Sequence, residues 1–84
     1  MLPLSRNEIE DRVLNVVSEV LTVDASSVDV DSLIESQLAP DSLDQVRLYM
    51  TLEDEFAETI PEEELESIKT VRDIVDYVER AMAS

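Results

Sequence analysis

The sequence predicts an all-α fold: a small helical bundle of three main helices plus one short helix, with a long ordered loop between helices 1 and 2. Apolar residues recur at helical spacing in three separate stretches. Each stretch follows a residue that caps helices well, namely Ser5, Asp41 or Thr70. The 84 residues, of which 44% are hydrophobic, suffice for a single domain, 1–84, with one small core.

Helix 1 is predicted at about residues 5–21, after a short lead-in at residues 1–4. Ser5 and Glu8 are spaced as a capping box, in which each side chain accepts a hydrogen bond from the other residue's backbone N–H. The apolar residues that follow form one continuous stripe along the helix: Ile9, Val13, Val16, Val17 and Val20.

Residues 22–40 are predicted to form the long ordered loop. Residues 28–31 alternate between valine and aspartate as a strand would, but the sequence offers no second strand to pair with them. We therefore expect a loop held to the bundle by its apolar residues, with one helical turn around residues 32–36. The aspartates do not keep the spacing of an EF-hand and glycine is absent, so we predict weak divalent binding at most and no dedicated metal site.

Helix 2 is predicted at about residues 42–57, with Asp41 as its N-cap and Asp44 in its first turn. Ser42 then lies in the first turn, with its hydroxyl facing solvent beside unpaired backbone N–H groups. A phosphate ester at this position would be stabilised by those groups and by the helix dipole. The pattern therefore indicates that Ser42 is an attachment point. The apolar residues expected to gather on one side of this helix are Leu43, Val46, Leu48, Tyr49, Met50, Leu52 and Phe56.

Two further helices complete the prediction. Pro61 suits the first position of a short helix 3 at about residues 61–66. Thr70, with Asp73 three residues later, caps helix 4 at about residues 70–82. The apolar stripe of helix 4 is Val71, Ile74, Val75, Val78 and Met82.

The charge of the chain is strongly negative, with 21 acidic and 6 basic residues and a net charge of −15. Residues 41–66 hold ten acids and one base, a net of −9. Such a surface repels nucleic acid and anionic membranes and attracts basic protein partners. An acidic surface also keeps a small protein soluble, which is the simpler interpretation of the same charge.

The residue types that are missing exclude several kinds of chemistry. The chain has no cysteine, histidine or glycine. It therefore has no disulfide, thiolate nucleophile, Ser–His–Asp triad or glycine-rich phosphate loop, and we expect no catalytic residue. Turns with positive φ are expected to fall to Asn, Asp or Ser, or to be avoided. No membrane-spanning run or signal peptide is recognisable, which predicts a cytoplasmic protein.

The attachment segment and the segments after it resemble the acyl carrier protein family along nearly the whole chain. Asp41, Ser42, Leu43 and Asp44 reproduce the family's Asp-Ser-Leu-Asp motif. The later segments 52–56, 60–64, 70–71 and 76–78 follow at the family's spacing. The motif alone is weak, but its place between a long loop and an acidic helix makes the combination specific.

The resemblance implies a non-catalytic carrier in fatty-acid, polyketide or related acyl-transfer pathways of lipid metabolism. A phosphopantetheinyl transferase would attach 4′-phosphopantetheine from coenzyme A to Ser42, between Asp41 and Leu43. The terminal thiol of that arm would carry acyl groups as thioesters. The apolar interior would part to shelter the acyl chain. Its expected lining is Leu48, Met50, Leu52, Phe56, Ile60, Ile68, Val71 and Val75.

The resemblance also implies a monomer that docks on basic patches of synthase and transferase enzymes through helix 2. The residues whose positions match that docking set are Asp41, Asp44, Arg47, Glu53, Asp54 and Glu62. Arg47 stands where many relatives carry a glutamate, Pro40 precedes the motif where relatives commonly have alanine, and Tyr49 replaces a small aliphatic residue. These departures suggest a specialised or secondary carrier.

Two other functions compete with the acyl carrier. Peptidyl carriers usually approach the serine through a glycine-rich segment and carry less acid, so the sequence argues against one. An unmodified acidic helical adaptor would bind basic proteins, and Ser42 would then be an ordinary first-turn residue. Covalent modification of Ser42 distinguishes the carrier from the adaptor.

Overall fold

The computed structural model describes residues 4–83, so most of the expected lead-in and the final Ser84 lie outside the described part of the chain. The long helices are α1 (Arg6–Leu21), α2 (Ser42–Phe56) and α4 (Val71–Ala83), and the short helix is α3 (Glu62–Ser67). Within residues 4–83 the only extended pairing is a single bridge. The predicted all-α bundle of three main helices and one short helix is confirmed.

The ends of the helices are fixed by side-chain caps. At the start of α1, the Glu8 backbone N–H donates to Ser5 Oγ at 3.2 Å, and the Ser5 N–H donates to Glu8 Oε1 at 3.0 Å. At the start of α4, the Asp73 N–H donates to Thr70 Oγ1 at 3.2 Å, and the Thr70 N–H donates to Asp73 Oδ2 at 3.1 Å. Both pairs satisfy N–H groups that a helix cannot pair internally.

The core lies where α1 packs against both α2 and α4. Its largest fully buried side chains on these helices include Ile9, Leu48, Leu52 and Ile74. Ile60 and Ile68, at the two ends of the segment that contains α3, are also buried and attach that segment to the bundle. The bundle therefore has one continuous apolar core.

The long loop is held against the start of α4. Leu33 forms an antiparallel bridge with Thr70, and the Ile34 N–H donates to the Lys69 carbonyl at 2.9 Å. The Arg72 guanidinium donates to both carboxylate oxygens of Asp31, at 2.8 and 3.2 Å. The loop contains a 3-10 turn (Ala25–Ser27) and one π-helical turn (Ile34–Leu38), which lies two residues beyond the turn expected at residues 32–36.

Two residues adopt the left-handed conformation at helix C-termini. They are Thr22, with φ 56°, after α1, and Ala57, with φ 52°, after α2. The expectation that Asn, Asp or Ser would occupy such positions was wrong. In each case the backbone N–H of the residue bonds a carbonyl of the last helical turn, Ser18 O or Glu53 O. That bond offsets part of the steric cost of a Cβ in this region.

Candidate functional site

Ser42 is the first residue of α2, and its side chain is exposed. Asp41 is the N-cap, and its Oδ1 accepts a hydrogen bond from the Leu43 N–H at 2.9 Å. The Ser42 hydroxyl forms no hydrogen bond with any residue in the described part of the chain. This arrangement leaves an accessible hydroxyl at the positive end of a fifteen-residue helix.

The backbone on the loop side of Ser42 is held in place by Ala39, which is fully buried. The Ala39 N–H donates to the Ile34 carbonyl at 2.6 Å. The Ala39 carbonyl accepts from the side-chain amide of Gln45, on α2, at 2.8 Å. Pro40 connects this anchored residue to the N-cap, and its ring limits φ at that junction. The loop therefore presents Ser42 from a fixed backbone.

An open groove of about 1000 Å³ extends from Ser42 between α2, the π-helical turn and the segment around α3. Its lining is mixed, with apolar side chains from all three elements and a half-buried polar row on α2. The apolar side chains that line the groove are Leu33, Ile34, Val46, Met50, Ile60, Leu65 and Ile68.

The polar row on α2 consists of Gln45, Tyr49 and Glu53, which are spaced four residues apart and all line the groove. Glu53 Oε2 accepts a hydrogen bond from the Ile60 N–H at 2.7 Å, which ties the α2–α3 connection to α2. Burial raises the pKa of the Tyr49 hydroxyl, and the carboxylates of Glu35 and Asp73 raise it further. Tyr49 is therefore a neutral phenol, able to donate a hydrogen bond, throughout the physiological pH range.

One side of α2 exposes an apolar stripe instead of burying it. Leu43 is 66% exposed, Val46 53% and Met50 59%. The expectation that these three residues join the buried side of helix 2 was wrong. Met50 lies outside the buried core, but it lines the groove together with Val46. At 100° per residue, Leu48 and Leu52 point to the core and the stripe points roughly the opposite way. The sequence did contain a signal for this exposed side, because the apolar residues of the helix fall on two stripes and only one of them can face the core.

The charged residues expected to bind partners have different surroundings. Arg47 pairs with Asp44 on the helix surface, with Nη1 and Oδ1 3.2 Å apart. Asp54 and Glu62 are exposed, and Glu62 also lines the groove. The carboxylates of Asp41 and Glu53 each accept a backbone N–H, so part of their hydrogen-bonding capacity already serves the fold. The bonds of Glu53 and Ala39 could not be derived from the local sequence.

In the part of the chain that the structure describes, every helix is too short or too polar to cross a bilayer.

Comparison with known proteins places these features in a family context. A family model described as a phosphopantetheine attachment site matches residues 11–78. An acyl carrier protein of Helicobacter hepaticus is 49% identical over 69 residues, which are 82% of this chain and 91% of the relative. One from Porphyromonas gingivalis is 40% identical over 74 residues, 88% of this chain and 95% of the relative. One from Thermosynechococcus vestitus is 38% identical over 81 residues, 96% of this chain and all of the relative.

Proposed function

Because the chain belongs to the acyl carrier protein family, we propose that Ser42 is the residue that bears its 4′-phosphopantetheine group. The family assignment establishes the acyl carrier role and the prosthetic group. The observation that supports Ser42 is its exposed hydroxyl, free of hydrogen bonds to described residues, at the start of α2 and at the edge of the groove. When bound, the group supplies the thiol that carries the acyl chain.

The residues around Ser42 fit such a group. A phosphodiester on the Ser42 oxygen would lie beside the first backbone N–H groups of α2, where the helix dipole favours negative charge. The adjoining groove has room for an extended chain and offers both polar and apolar side chains. Some other hydroxyls are engaged in the fold, since Ser5 Oγ caps α1 while Ser26 and Ser27 bond within the turn around Asp24. Ser36 is also exposed in the groove, but it does not lie at the start of a long helix.

Partner enzymes would dock on the exposed side of α2. Acyl carrier proteins serve transferase and synthase enzymes, and we infer that these enzymes recognise the apolar stripe Leu43, Val46 and Met50. Exposed apolar side chains surrounded by charge are typical of protein-binding surfaces. The exposed carboxylates of Asp54 and Glu62 would steer basic partners towards the stripe. We expect a monomeric, non-catalytic protein, because its partners would perform the chemistry.

The adaptor alternative and the specialised role of the carrier can both be weighed against these observations. The unmodified adaptor is disfavoured, because the relatives and the attachment-site match both point to a carrier. The specialised role suggested by Pro40, Arg47 and Tyr49 gains a physical basis. The Arg47 guanidinium neutralises the Asp44 carboxylate beside the attachment residue, and Tyr49 adds a hydroxyl to the groove.

The test is intact mass after incubation with coenzyme A and a broad-specificity phosphopantetheinyl transferase. We expect one added phosphopantetheine on the native chain and none on Ser42→Ala. Ser36→Ala is the matched control, because Ser36 is also exposed and lines the same groove. Modification that persists in Ser42→Ala, or that is lost in Ser36→Ala alone, would disprove the assignment.

A further inference from the structure

The hydroxyl of Tyr49 is the one polar group of the α2 row that the protein does not use. Gln45 and Glu53, one turn to either side, each hydrogen-bond a backbone group, at 2.8 and 2.7 Å respectively. Within residues 4–83 the Tyr49 hydroxyl has no hydrogen-bond partner. It is not sealed in the core either, because no buried side-chain oxygen or nitrogen of the described residues lacks a partner. The phenol is thus half-buried, accessible and unpaired.

Tyr49 also lies in line with the attachment residue. It follows Ser42 by seven residues, which is close to two full helical turns, so both residues share one side of α2 about 10 Å apart along the axis. Both line the same groove, and Ile34, Ile60 and Ile68 supply buried apolar side chains to its lining. A chain that starts at Ser42 and runs along this groove passes the Tyr49 phenol.

The phosphopantetheine arm has amide and hydroxyl oxygens of its own, so the acyl chain decides whether the phenol finds a partner where the bent arm places the acyl chain, and not the arm, over Tyr49. A saturated chain that covers the hydroxyl removes it from water and provides no hydrogen-bond acceptor, which is unfavourable. A chain with a hydroxyl or keto oxygen at the same place restores the hydrogen bond. We propose that Tyr49 makes this carrier selective for acyl groups that bear an oxygen along the chain, over saturated acyl groups of equal length. The inference rests on Ser42 being the attachment residue.

The neighbouring carboxylates do not remove the need for a ligand oxygen. Asp73 is close enough to raise the pKa of Tyr49, but its Oδ2 already accepts the N–H groups of Lys69 and Thr70. Glu35 lines the groove and has an exposed side chain, and its carboxylate forms no hydrogen bond with the phenol. The phenol forms no hydrogen bond with either carboxylate, so it remains an unpaired donor among the described residues.

In the experiment, a broad-specificity phosphopantetheinyl transferase modifies the protein from coenzyme A or from its octanoyl, 3-hydroxyoctanoyl or 8-hydroxyoctanoyl thioester. The four products carry phosphopantetheine alone or phosphopantetheine with one of the three acyl groups, and 3′,5′-ADP leaves in each case. Intact mass verifies each loading, and the thermal midpoint reports how well each chain is accommodated. Tyr49→Phe removes only the hydroxyl and keeps the ring. Tyr77→Phe is the matched control, because the Tyr77 hydroxyl instead donates to the Thr59 carbonyl, at 2.8 Å.

We expect at least one hydroxylated chain to raise the midpoint above that of octanoyl by about 4 °C or more in the native protein. Tyr49→Phe should abolish that difference, and Tyr77→Phe should retain it. Equal midpoints for all three acyl forms, or a difference that survives in Tyr49→Phe, would overturn the proposal. Tyr49→Phe could instead lower the midpoint of the form with phosphopantetheine alone as much as it lowers that of the hydroxylated forms. That result would also overturn the proposal, because the phenol would then bond the arm and not the acyl chain. Failure to load any group would show in the mass, and would instead refute attachment at Ser42.

Discussion

Among single residues, Arg47 is the one that we expect to affect recognition by the phosphopantetheinyl transferase most strongly. Its guanidinium lies beside Asp44 on the exposed side of α2, in the segment that carries most of the negative charge. Arg47→Glu would remove the pair and extend the acidic surface towards the apolar stripe. We expect modification of Ser42 by a transferase with a basic docking patch to become about three- to tenfold faster at low salt.

The measurement is kcat/KM for phosphopantetheine transfer at low and at high ionic strength. Arg12→Glu on α1 is the control, because it makes the same charge change away from Ser42 and also breaks an ion pair. In the native protein Arg12 Nη1 lies 3.5 Å from Glu55 Oε2. A gain confined to Arg47→Glu and suppressed by salt is the expected result. Equal gains in both variants would show that net charge, not the position of Arg47, governs the encounter.

Thr22 is the residue whose backbone conformation is least suited to its side chain. It is β-branched, exposed, and has φ 56°. Thr22→Gly should stabilise the fold by about 0.5 to 1 kcal/mol, since the relief of strain exceeds the entropy that glycine adds to the unfolded chain. Chemical denaturation measures this change. Ala81→Gly, inside α4, should instead destabilise by about 1 kcal/mol, and a loss of stability in both variants would contradict the strain argument.

At the scale of elements, the contact between the long loop and the start of α4 depends on Asp31. The hydrogen bonds from Arg72 lower the pKa of the Asp31 carboxyl from its usual 3.8. A lowered folded-state pKa stabilises the fold above the unfolded-state pKa, and this contribution is lost as the pH falls through the lower value. The Asp31 contribution should therefore be constant near neutral pH and disappear in strongly acidic solution.

Thermal midpoints of the native chain and Asp31→Asn, measured from pH 7 downward, test this dependence. The difference between the two proteins should shrink below the usual aspartate range. Asp29→Asn removes a charge two residues away that forms no ion pair with any described residue, so it corrects for the general relief of repulsion. If Asp31→Asn and Asp29→Asn give parallel curves at every pH, the Arg72 contact contributes nothing to stability.

The elements also show what the sequence could and could not predict. The starts of helices could be predicted because a capping box is a local pattern, as with Ser5 and Glu8, which are only three residues apart. The contact between the long loop and α4 could not be predicted, because Asp31 and Arg72 are 41 residues apart and no local pattern relates them. The choice between the two apolar stripes of α2 required the positions of α1 and of the segment around α3. Attachment at Ser42 was predicted from its motif, while the unpaired phenol of Tyr49 emerged only from the hydrogen bonds of its neighbours.

At the scale of the whole molecule, repulsion among acids opposes folding. The net charge is −15 on a body that measures 36 × 28 × 20 Å. At 0.01 M salt the screening length is about 30 Å, so every charge acts on nearly every other, whereas at 0.1 M it is about 10 Å. Salt also weakens the six ion pairs that the described residues form, but each lies at the surface, where an ion pair contributes little to stability. Relief of the net repulsion should prevail.

We therefore expect the thermal midpoint to rise by several degrees between low and moderate salt, and to rise further when divalent cations replace monovalent ones at equal ionic strength. Asp54→Asn with Glu66→Gln supplies the control, because both residues are exposed and form no ion pair in the described part of the chain. This double variant should have a higher midpoint at low salt and a shallower salt dependence. A midpoint that stays flat in both proteins would mean that the spacing of the acids, and not screening, already limits their repulsion.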